Sequence, residues 1–121
     1  MAFQTVVAAK IVQAALTTST AASIYVCPLA TQTYLKDIDI ANTTTSAVTV
    51  FVFLVPSSTQ TSGAFTTGTA AASNALLYNV AIPASTTLQW TGTQIMLPGD
   101  SIQAYASATG VTLTASGATA T

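Results

Sequence analysis

Arginine, glutamate and histidine are missing from this chain, and charge of either sign is scarce. Lys10, Lys36, Asp37, Asp39 and Asp100 are its only charged residues, 4% of the chain, against roughly 25% in ordinary globular proteins. Two lysines cannot neutralise a phosphate backbone, so no nucleic-acid partner is expected. Without His or Glu, acid–base chemistry is left to three Asp, two Lys and four Tyr. No His can activate a serine, and no G-x-S-x-G elbow is present. A single cysteine and no histidine leave no zinc site. The pair Asp37 and Asp39 has no ligand loop beside it to complete a calcium shell. The sequence therefore reads as a non-enzyme with no catalytic, cofactor or metal residues.

Other scarcities narrow the setting. Cys27 has no internal disulfide partner, which implies no oxidising compartment; within IYVCP it reads as a small buried hydrophobe. No run of about 18 residues is free of Thr, Ser or Gln, so no membrane helix is expected. The first residues offer Lys10 and a short apolar stretch, but Gln13 interrupts it, and a cleaved leader is not expected.

What is abundant is small and neutral: 24 Thr, 23 Ala and 11 Ser. Thr favours strands and packs well on a pleated surface. A net charge of −1 gives copies little mutual repulsion, and such proteins tend to associate. The length of 121 residues suits one domain with a real core.

Turn chemistry at 42–46 (NTTTS), 83–85 (PAS), 91–93 (TGT), 98–100 (PGD) and 109–110 (TG) separates β-rich runs. In LPGD, Pro98 and Gly99 suit the two central positions of a type II turn. Between the turns, residues alternate. Tyr34, Ile38 and Ile40 share one face, opposite Asp37 and Asp39. Leu76, Tyr78, Val80 and Ile82 share another, and Leu88 and Trp90 a third. Ile102, Ala104 and Ala106 oppose Ser101, Gln103 and Ser107, and Val111, Leu113 and Ala115 oppose Thr112, Thr114 and Ser116. With runs at 23–27, 47–55 and 94–97, this predicts about eight antiparallel strands in a sandwich, jelly-roll-like, with an immunoglobulin-like sandwich as the alternative.

One strand breaks the pattern. In AVTVFVFLVP (47–56) both faces are apolar, so Phe51 and Phe53 need a cover beyond the single core. Residues 1–20, read as an N-terminal arm or a first strand, precede the domain proper at 21–121. A long Ser/Thr/Gly/Ala loop at 57–74 contains one aromatic, Phe65. Phe3, Val6, Val7, Ile11, Phe51, Phe53 and Phe65 are the candidate interface residues. Trp90, on the parity of Leu88, is expected in the core; exposed, it would offer a sugar-stacking platform with nearby tyrosines, the carbohydrate-binding alternative.

The phrases LKDIDIANTT, IPASTTLQW, LPGDSI and ASATGVTLTASG, within 33–56 and 75–117, resemble small virion structural proteins of tailed bacteriophages. The similarity covers about two thirds of the chain and is greatest to capsid decoration (cement) proteins. It implies a β-sandwich subunit made in the host cytoplasm and carried on the virion surface. Its expected partners are the major capsid protein and sister subunits, in a homo-oligomer such as a trimer. Tail, adaptor or fibre subunits are the alternative within the same setting.

Overall fold

The computed structural model describes residues 5–57, 59–61 and 64–121, with 59–61 and 64–66 described by backbone alone. The strands are β1 (Val6–Ala15), β2 (Ala22–Val26), β3 (Gln32–Asn42), β4 (Val48–Val55), β5 (Thr59–Thr61), β6 (Ala64–Thr66), β7 (Ala75–Ile82), β8 (Thr86–Met96), β9 (Ser101–Ala106) and β10 (Val111–Ala120). Two four-stranded sheets carry the fold, in the orders β1-β10-β3-β8 and β2-β9-β4-β7; β5 and β6 form a separate hairpin.

Leaving that hairpin aside, the first four long strands pair antiparallel with the last four in reverse order: β1 with β10, β2 with β9, β3 with β8 and β4 with β7. The chain is thus a long double hairpin rolled so that β1 to β4, and again β7 to β10, alternate between sheets, with β4 and β7 paired in the second. The roll is closed by β10 against β3 and by β9 against β4. This is a jelly roll, and the immunoglobulin-like order does not occur.

The core lies where period-two alternation predicts it in the C-terminal strands. Ile102, Ala104 and Ala106 of β9 and Val111, Leu113 and Ala115 of β10 are all buried, facing Leu35, Ile38, Ile40, Val48, Val50 and Val52. Each fully buried Val, Leu or Ile contributes roughly 1.5–3 kcal/mol of apolar transfer. The LPGD turn forms as expected: Gly99 has φ 90 and the Asp100 amide donates to the Leu97 carbonyl at 3.0 Å.

Bulges account for the departures. On β3 the register slips at Lys36, so Leu35, not Tyr34, turns inward with Ile38 and Ile40. On β7 two slips against β4, with Asn79 at φ 54, turn Tyr78 outward and 57% exposed. The TGT at 91–93 is not a turn. β8 runs through it, and the extra residue is absorbed opposite Lys36, between the Leu35–Gln94 and Asp37–Thr91 pairs. A bulge accommodates one surplus residue without ending the strand.

The N-terminal segment is a strand. β1 pairs with β10 from Val6–Ala120 to Ala15–Thr112, and Ile11 and Leu16 enter the core. An edge position along β10 gives its backbone partners that a free arm would lack.

Candidate interaction surface

Of the residues expected at an interface, the structure brings Phe51 and Phe53 together with two tyrosines, Tyr78 and Tyr105. On the outer face of the second sheet, Phe51 stacks on Tyr105 with centroids 4.5 Å apart and planes within 7°, and Tyr78 meets Phe51 edge-on at 5.2 Å. Phe53 lies 6.3 Å from both tyrosines. Tyr105 follows from its opposite parity to Ala104 and Ala106; Tyr78 was hidden by the β7 bulges.

Phe53 and Val55 are buried although they face away from the first sheet. The cover is the chain's own insertion. Gln103, the cross-strand neighbour of Phe53, donates from Nε2 to the Gly68 carbonyl at 2.9 Å. A Cβ on Gly68 would meet Val55 Cγ1 at 2.8 Å, and the 3-10 turn Ala72–Asn74 lies against β4. Residue 65 is described by backbone alone, and Phe3 lies outside the described residues. Ile11, expected at an interface, is a core residue instead, because β1 turns it inward between the sheets.

Val6 and Val7 remain exposed, at 61% and 55%. Strand register places them at the same end of the sheet as three further exposed apolar residues. Val7 pairs with Thr119, Thr119 with Thr33, and Thr33 with Met96, so the start of β1 and the end of β8 lie at the same end of the first sheet. Ile95 and Leu97 are exposed there. The adjoining turn carries exposed Leu29 and is tied to the LPGD turn, because Cys27 donates to the Asp100 carbonyl and Gly99 to the Cys27 carbonyl. Five of the six exposed large hydrophobics of the described residues thus gather at one end of the sandwich, and only Tyr78 lies elsewhere.

Asp100 is the charged residue of this end, and its carboxylate is engaged by the backbone amides of Leu97 (2.9 Å) and Ser57 (3.0 Å). The other four charges lie on the outer face of the first sheet. Lys10 and Lys36 line one shallow hollow there with Thr114 and Ser116, and they donate to Gln13 and Thr93. Gln89 donates to Asp37. The Asp39 carboxyl is pushed up by its hydrogen bond to Asp37, then by partial burial and by the Asp37 charge.

Chemistry has little to work with. Cys27 is fully buried, with its Sγ near the Thr31 carbonyl, the Thr33 hydroxyl and the Met96 carbonyl; burial is the largest cause raising its thiol pKa. A thiol held protonated and enclosed is a poor nucleophile. Burial likewise raises the Tyr25 phenol, whose hydroxyl is bonded to Thr33 at 2.8 Å. Among the described residues no His, Cys, Asp and Glu group could hold a metal, and no helix is long and apolar enough to cross a membrane.

Trp90 pairs with Ile38 and is partly buried against the core, the side expected for it. Phe51 and Tyr105 present their faces to one another. No family model, curated protein or solved structure matches the chain.

Proposed function

We propose that this protein is a non-enzymatic structural subunit of a phage virion, a decoration protein that binds the head surface as a homo-oligomer and stiffens the shell. The observation that carries the reading is the apolar end formed by Val6, Val7, Leu29, Ile95 and Leu97 on a chain with five charges. Exposed apolar residues scattered singly are ordinary, whereas five gathered at one end of a sandwich mark a candidate binding surface. An end whose one described charge, Asp100, is engaged by backbone amides fits a protein partner rather than a phosphate or a charged substrate. The jelly roll also recurs in viral capsid proteins, which supports the reading by analogy only.

In this role the work is mechanical. Each copy would seat its apolar end on the shell, burying roughly 800 Å² per partner. Repetition over the lattice would turn modest single contacts into firm retention.

The test is electron microscopy of phage particles containing this protein, paired with a Val7→Lys/Leu97→Lys variant. Regular density over the head, lost in the variant, is the expected result. Density on the tail would move the protein to the tail, adaptor or fibre class. Absence from particles would overturn the virion role, and a specific hit on a glycan array would then favour the carbohydrate-binding reading.

A further inference from the structure

Among the described residues the two sheets leave four open edges: β1 and β8 on the first, β2 and β7 on the second. An open edge presents unpaired N–H and C=O groups to any passing strand. Soluble proteins blunt such edges with charge, proline, bulges or shortness. Three edges here are blunted. β1 carries Lys10 and a register slip between Lys10 and Val12. β2 is five residues long with a slip between Ser23 and Tyr25. β7 slips twice and holds Asn79 at φ 54.

β8 is different. It is eleven residues long and contains neither charge nor proline. Its one slip lies beyond Thr91, so Thr86–Thr91 keeps unbroken register with β3, from Asn42–Thr86 to Asp37–Thr91. Beside this segment the sandwich is unfinished. Leu88 and Trp90 on β8, with Leu76, Leu77 and Val80 on the neighbouring β7, are apolar residues only partly buried against the core.

We propose that β8 is a self-association edge: Thr86–Thr91 of one copy adds antiparallel to the same segment of a second copy, joining two four-stranded sheets into one of eight strands.

Charge and register both select a second copy as the occupant. The chain has no charged residue between Asp39 and Asp100, so β8 meets itself without placing like charges opposite each other. In a continuous antiparallel sheet, opposed residues must point to the same face, which restricts the two-fold axis to a residue position. Centred on Gln89, the axis places Leu88 opposite Trp90 of the second copy, and Thr87 opposite its Thr91. Both are stabilising types of cross-strand pair. Centred on Leu88, it would oppose Trp90 to Thr86 and lose that match. The contact is between copies of this chain, and it holds whether or not the protein belongs to a virion.

The test uses the full chain. Sedimentation across the micromolar range should show a dimer or an even-numbered assembly. Thr87→Lys/Thr91→Lys, at two exposed positions, should weaken association at least tenfold with an unchanged far-ultraviolet dichroism spectrum. Gln89→Cys should crosslink into a covalent dimer under mild oxidation, since opposed Cα atoms in an antiparallel pair lie about 4.5–5.5 Å apart, within disulfide reach. Buried Cys27 does not compete. A wild-type protein that is monomeric throughout, or a closed trimer, overturns the proposal. So does failure of Gln89→Cys to crosslink, and that arm decides the matter even where the lysine variant unfolds.

Discussion

Phe51 of β4 and Tyr105 of β9 stand directly opposite one another and stack face to face, with ring centroids 4.5 Å apart. Each ring shields a face of the other, and Tyr78 closes on Phe51 edge-on. The pair therefore finishes the outer surface of its sheet instead of offering a flat platform. A double-mutant cycle with Phe51→Ala and Tyr105→Ala should return a coupling of about 1 kcal/mol in denaturant unfolding. Coupling near zero would mean that the stack does not form in solution.

Asn42 holds one end of the jelly roll. Its buried Nδ2 lies 2.9 Å from the Ser46 carbonyl, 3.0 Å from Ile82 and 3.1 Å from Pro83, while Oδ1 accepts from the Thr44 amide and hydroxyl. Asn42→Ala removes the donor to the buried Ile82 carbonyl and the tie to Thr44, and should cost about 1–3 kcal/mol. Asn42→Asp keeps the contacts to Thr44 but loses the donors, and it should be comparably unstable. Urea midpoints measure both.

Gly117 sits on β10 where β3 bulges at Lys36. A Cβ there would overlap the Tyr34 carbonyl oxygen and lie 3.1 Å from the Lys36 amide nitrogen, both backbone atoms. Gly117→Ala should therefore destabilise by about 1–3 kcal/mol or more. Gly92→Ala meets the side-chain ring of Trp90 at 3.0 Å, which can shift, so its melting temperature should fall less. Equal losses would show that the backbone at the bulge yields.

The Asp37–Asp39 pair makes stability depend on pH. Because the fold raises the Asp39 pKa, the folded state holds its proton more tightly than the unfolded chain does. That contribution is full below the ordinary carboxylate pKa of about 3.9 and is lost as pH rises through the raised value. Asp39→Asn should raise the melting temperature at neutral pH and abolish this part of the acid-side gain. A variant profile parallel to wild type would show that the carboxyls do not share a proton in solution.

Alternation in β9 and β10 was legible because small apolar residues facing the core alternate with polar ones, so the 102/104/106 and 111/113/115 rows stand out. Legible too were the LPGD turn, whose geometry depends on four adjacent residues, and the core side of Trp90. The candidate surface was only half visible: Val6 and Val7 were named, but Leu29, Ile95 and Leu97 join them only through pairings that link β1, β10, β3 and β8.

The sequence by itself determined the all-β class, the neutral surface and the inward rows of the regular strands, because these follow from residue type and a two-residue period. Tertiary structure decided which strand lies beside which. That choice made an edge strand of β1, turned Leu35 inward and Tyr78 outward across bulges, brought Gly68 and the Ala72–Asn74 turn against β4 and its neighbour Gln103, and left β8 at an open edge. Bulges and edges exist only relative to a partner strand, and that partner lies tens of residues away along the chain.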